Sequence, residues 1–138
     1  MSRILALDVG DRRIGVAACE WSDLVTPVGV IARGTGDLEA IAREVGDRSI
    51  DLIVVGLPIS LDDTIGTQAR ATLKFIERLK RVVKIPIETV DERFTSVDAE
   101  AKLVGMDVTR AKRRRTLDAH AAAEILNGYL SGAGRPTC

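Results

Sequence analysis

Three short apolar runs occupy residues 4–9, 14–19 and 26–32, and only turn-sized segments separate them. Strands joined so closely pair antiparallel, because a parallel return needs a crossover of about a dozen residues or more. The spacing therefore predicts a three-strand meander. From Asp37, a candidate N-cap, the pattern changes: Leu38, Ile41, Ala42 and Val45 recur at helical spacing. "DLIVVG" (51–56) is a β-branched run bounded by glycine and proline and reads as a buried strand. A helix beginning near Thr67 carries Ala69, Leu73, Ile76 and Leu79 on one face, and "IPIETV" (85–90) is the last strand. A helix around 97–104, capped by Thr95 or Ser96 with Asp98 completing a capping box, precedes a long helix ending near Leu130. The order β-β-β-α-β-α-β-α-α predicts an α/β fold: a mixed five-stranded sheet with helices on both faces.

A chain of 138 residues suits one domain, placed at 1–131, with the Gly/Pro stretch 132–138 as a flexible tail. Twenty basic and twenty acidic residues cancel, so a polyanion partner must be held by a local patch. One Trp, one Tyr and two Phe are too few for a base-stacking platform. Cys19 and Cys138 have no metal-ligand spacing and read as a core thiol and a tail thiol in a reducing compartment. With no secretory leader and no long apolar span, the expected location is the cytoplasm, away from membranes.

Against that background Asp8 is anomalous. It lies between Leu7 and Val9 inside the first strand, where an unpartnered carboxylate costs several kcal/mol. Carboxylates recur at the ends of other elements: Asp91-Glu92 closes the last strand and Asp118 lies in the last helix. On a regular helix Asp118, Ala122, Ile125 and Tyr129 form one stripe, flanked by Ala121 and Leu126. His120 falls on the other side with Glu124 and Asn127, as a solvated residue. A plainer account makes Asp118 the N-cap of that helix, and both readings stand at this point. Three carboxylates converging from separate elements would give Mg²⁺ or Mn²⁺ the oxygen ligands and negative field that hard cations need. Such ions stabilise the attacking and leaving oxygens of a phosphoryl displacement.

Gly10 allows a tight turn after the strand and close approach of a phosphate backbone, although a turn glycine alone explains it equally well. "RAKRRR" supplies Arg110, Lys112, Arg113, Arg114 and Arg115 just before Asp118, and Arg12, Arg13 and Arg93 come from loops at the same sheet edge. Basic runs are usually solvated faces; here the neighbouring carboxylate favours contact with nucleic-acid phosphates. Gly56 and the amides ahead of Thr67 offer a phosphate perch. No element looks like a base-reading device, so recognition of shape is expected.

Four stretches, "LALDVGDRRIGVA", "VVGLPISLDDTIGTQA", "TVDERFTSVDAEAKL" and "RRTLDAHAAAEILNGYL", together resemble the YqgF family, also called RuvX, of Holliday-junction-resolvase-like proteins. They stand in the family's order and span nearly the whole chain. The resemblance implies an RNase H-like fold and a divalent-metal nuclease. In bacteria it further implies maturation of the 16S ribosomal RNA precursor or cutting of branched DNA. It carries the metal-binding and catalytic roles to Asp8, Glu92 and Asp118, with Asp91 as the alternative to Glu92. Cys19-Glu20 and Asp63 depart from the family's usual residues and bear on substrate preference.

Two further classes compete. An actin-like or Hsp70-like ATPase needs two such domains and a second glycine-rich phosphate motif, which this length does not provide. A non-catalytic nucleic-acid or ribosome-precursor binding module would keep the acids as structural residues. RNA, single-stranded DNA and branched DNA all stay open as partners, and a junction cutter is compatible with a homodimer.

Overall fold

The computed structural model describes residues 2–21, 24–58, 66–91 and 110–131, with the backbone alone along 110–117. Strands β1 (Ile4–Val9), β2 (Arg13–Cys19) and β3 (Val25–Ala32) form the expected antiparallel meander. Strands β4 (Leu52–Leu57) and β5 (Ile87–Asp91) extend the sheet in parallel on the far side of β1, giving the order β3-β2-β1-β4-β5. Helices α1 (Asp37–Asp47), α2 (Thr67–Lys80) and α3 (Arg110–Leu130) complete the described elements. The helix expected around 97–104 lies outside the described residues.

Strand alternation divides the core into two layers. Leu5, Leu7, Val9, Ile14, Val16, Ile53 and Val55 face α1 and α2, where Ile41, Phe75, Ile76 and Leu79 meet them. Ile4, Ala6, Ala17, Cys19, Leu52 and Val54 face α3 and its Ala122, Ala123, Ile125, Leu126 and Tyr129. Ile125 and Leu126 are fully buried, and each such side chain contributes about 1.5–3 kcal/mol of transfer free energy. Cys19 sits in this second layer and is fully buried, in the core position expected of it; Cys138 lies outside the described residues.

Three helix expectations change. Helix α1 is capped by Gly36, at φ 99°, a left-handed position that favours glycine; Asp37 is its first residue, not its cap. Its carboxylate accepts the Leu38 amide at 2.8 Å and is buried. On α2 the buried face is turned toward Thr72 and Phe75, leaving Leu73 exposed. Thr72 can be buried because its hydroxyl donates to the Gln68 carbonyl at 3.0 Å. Helix α3 reaches back to Arg110, so Asp118 lies two turns inside it and cannot be its N-cap. The basic run therefore belongs to the helix itself.

Candidate active site

In β1 the alternation that sends Ile4 and Ala6 toward α3 sends Asp8 there too. Asp8 is half-buried, and its partner across the β1–β2 ladder is Gly15. A Cβ placed on Gly15 would stand 1.9 Å from the Asp118 carbonyl oxygen and 2.5 Å from its carbon. The helix backbone thus rests directly on β2 at the register position of Asp8. Residues from opposite ends of the sequence meet here because one strand position carries no side chain.

The Asp118 carboxylate accepts a hydrogen bond from Arg13 Nε at 2.6 Å. Arg13 opens β2 on the α3 face, two residues before Gly15, so the same alternation aims it there. The pair is about one-third open to solvent, at 33% for Arg13 and 27% for Asp118.

The segment between β1 and β2 is a tight turn closed by the Gly10 amide donating to the Arg13 carbonyl at 2.9 Å. A Cβ on Gly10 would come within 3.0 Å of that carbonyl oxygen, so close approach explains this glycine. Arg33 holds the turn from below. Its Nη1 donates to the Gly10 carbonyl at 2.8 Å, and its amide donates to the Arg12 carbonyl at 2.9 Å. Its guanidinium lies 5.0 Å from the Phe75 ring centroid. Nε stands 3.3 Å from Asp37 Oδ2, an ion pair without an aligned hydrogen bond. Above the turn, Gly10, Asp11, Arg12, Arg13 and Asp118 line an open cleft of about 350 Å³.

Of the residues expected at the site, Asp8, Gly10, Arg12, Arg13 and Asp118 come together. Arg13 differs from the sequence reading in being engaged with a carboxylate, in addition to standing at the rim. Glu92 and Arg93 lie outside the described residues. Asp91 pairs with Leu57 and shares the alternation of Ile87, which puts it on the α1/α2 face, opposite Asp8. Gly56 is buried within β4, opposite Val90, and is part of the sheet rather than of the following loop. Arg110, Lys112, Arg113, Arg114 and Arg115 occupy the first two turns of α3, where the helical backbone puts Arg114 one turn before Asp118.

Asp8 and Asp118 offer oxygen donors, which suit Mg²⁺ or Mn²⁺. Among the described residues no group of three potential metal ligands occurs, since the candidate third member is Glu92. Sequence reasoning passed over two residues that build the site. Gly15 was signalled by the run of small residues, Ala6, Gly15 and Ala17, on the face that meets the alanines of α3. Arg33 carried no signal, because each of its side-chain partners is set by the folded chain.

Comparison with known proteins bears on the family and the fold. The sequence profile described as RuvX, Holliday junction resolvase, matches residues 2–132. A protein named "Putative pre-16S rRNA nuclease" from Desulforamulus reducens is 42% identical over 137 residues, covering 95% of this chain and 98% of that protein. One of the same name from Trichormus variabilis is 40% identical over 129 residues, covering 91% and 85%. Among solved structures, Thermus thermophilus RuvC in complex with a Holliday junction substrate superposes with a TM-score of 0.57 at 11% identity, covering all of both chains. Fowlpox virus resolvase with its junction DNA gives 0.51 at 13% identity, covering 94% of this chain and 95% of that one. At such identities the likeness is one of fold, the RNase H-like fold that the resolvases share.

Proposed function

The chain belongs to the RuvX family of Holliday-junction-resolvase-like proteins, and on that premise we propose that it is a divalent-metal-dependent nuclease hydrolysing phosphodiester bonds. One observation carries the reading: Asp8 and Asp118 converge on Gly15 beside an open cleft whose rim bears Arg12 and Arg13. Asp8, Asp118 and Glu92 hold Mg²⁺ or Mn²⁺. Glu92 is preferred to Asp91, because the β5 alternation turns Asp91 to the face away from Asp8. Bound there, the ions supply charge stabilisation for the attacking and leaving oxygens of the displacement. Gly10 adds no side chain to the cleft it lines, which leaves room for a phosphodiester backbone beside the carboxylates. Arg12, with Arg93 and the basic turns of α3, positions that backbone by phosphate contact and reads no base.

The names of the curated relatives support precursor 16S ribosomal RNA as the substrate; branched and single-stranded DNA are the other candidates, and the proposed location is the cytoplasm. No helix among the described residues is long and apolar enough to cross a membrane. The nuclease domain is taken as residues 1–131 with a tail at 132–138, and a homodimer would present two such sites to a junction. The Arg13–Asp118 ion pair favours a second reading, in which the acids are structural and the protein only binds. Labelled RNA, single-stranded DNA and four-way junctions incubated with wild type and Asp8→Asn in Mg²⁺ or Mn²⁺ separate these readings. Metal-dependent cutting of RNA, lost in Asp8→Asn, is expected. Salt-sensitive binding with no turnover would establish the binding module instead.

A further inference from the structure

We infer that Arg13 is a placeholder cation: it occupies Asp118 until a divalent ion displaces it, and displacement frees its guanidinium for a substrate phosphate. The inference rests on the metal-nuclease reading and deepens it. Arg13 engages Asp118 through Nε alone, at 2.6 Å. Its two terminal nitrogens make no hydrogen bond among the described residues, and the residue lines the cleft a substrate would enter. The fork that could grip two phosphate oxygens is thus held in place, pointing away from its backbone anchor, by a carboxylate that the metal also requires.

Two cations that share one carboxylate repel each other. A guanidinium beside a doubly charged ion on the same side chain is pushed away across a few ångströms, and the repulsion grows with the ion's charge. The ion pair that would resist displacement is about one-third exposed, and pairs so open to water return little. A divalent ion therefore displaces the pair, and the released guanidinium moves into the cleft that Arg13 already lines. The turn carrying it is pinned by the Gly10–Arg13 and Arg33–Gly10 hydrogen bonds, so the side chain swings while its backbone stays. Arg13 is in this sense a positioning residue: it keeps Asp118 neutralised and in place before metal arrives, and it couples metal entry to phosphate capture.

The test follows Arg13 directly, by the ¹⁵Nε–¹Hε resonance that disappears in Arg13→Gln, during a titration of wild type with Mg²⁺ alone. The resonance is expected to lose its hydrogen-bonded shift in step with the Asp118 backbone amide. Calorimetry should show Mg²⁺ binding about two- to fivefold tighter in Arg13→Gln, the range a partly exposed ion pair supports. Arg12→Gln removes the same charge from the same cleft without touching Asp118, and should change the affinity less. An Arg13 resonance unmoved at saturating Mg²⁺, or equal effects of the two variants, would overturn the placeholder role. If Mg²⁺ binding is lost in Asp8→Asn while Arg13 does not move, only this inference fails. If wild type binds no divalent ion at all, the metal-nuclease reading fails with it.

Discussion

Gly15 lies directly under Asp118: the space a Cβ would need on the strand residue is already filled by the helix residue's carbonyl, 1.9 Å from the ideal position. Backbone meets strand there, with no flexible side chain to give way. Gly15→Ala must push α3 off the sheet or tilt it. Overpacking of this kind costs about 1–3 kcal/mol, and a backbone obstacle puts it at the upper end. Urea denaturation should show the loss, and Asp118 should be displaced from Asp8 with it. An alanine variant of wild-type stability would mean that α3 does not sit where the structure puts it.

Arg33 ties the Gly10 turn to both helices on the opposite face through Gly10, Phe75 and Asp37. Arg33→Ala should cost about 1–2 kcal/mol, from one hydrogen bond and one cation–π interaction. Because the turn lines the cleft, cleavage should fall by more than the stability loss explains. Stopped assays at a temperature where the variant is fully folded check this; unchanged cleavage would make Arg33 a stabilising residue only.

The basic turns of α3 can be tested apart from chemistry. Replacing Arg113, Arg114 and Arg115 by alanine should lower the slope of log affinity against log salt by about 2–3, at about 0.7–0.9 for each phosphate no longer neutralised. Titrations of labelled RNA in EDTA at several salt concentrations measure it. An unchanged slope would show that the run is a solvated face.

At the other end of the sheet Arg48 pairs with Glu44, at 2.7 Å, and with Glu20. The Glu44 hydrogen bond raises the Arg48 pKa above its ordinary value; burial works against it, and the Glu20 hydrogen bond adds to the rise. A cation whose pKa is raised on folding contributes stability at every pH below its unfolded value and loses it only above. For an arginine that limit is far into alkali. Glu44→Gln should therefore lower stability by less than about 1 kcal/mol, since the pair is partly exposed, and by the same amount at neutral pH as at mildly alkaline pH. Thermal melts at both pH values check it, and cleavage should not change.

Much of this was legible in the residues. The meander, the parallel strands and the ends of most elements follow from β-branched runs and their turns, because alternation and spacing are local properties of the chain. Asp8 declared itself by being a charge among apolar neighbours. Asp118 was ambiguous, since its role depends on where α3 begins; the helix reaches back to Arg110, and that settles it. Gly15 and Arg33 were hidden for a different reason. What makes Gly15 necessary is the carbonyl of Asp118, at the far end of the chain, and what makes Arg33 useful is a turn, a ring and a carboxylate from three elements. The sequence showed which side chains were odd, while the folded chain showed what they touch.

On the metal-nuclease reading, Asp8 and Asp118 act together as the pair that holds the ion. Single-turnover cleavage of labelled precursor RNA in Mn²⁺ by wild type, Asp8→Asn and Asp118→Asn decides it, with circular dichroism and melting showing all three folded. Loss of outer-shell support to a metal ligand alone costs about 10- to 100-fold, so each ligand variant should fall by at least about a hundredfold. Metal-dependent cleavage at the wild-type rate in either folded variant would mean that the pair does not hold the catalytic ion.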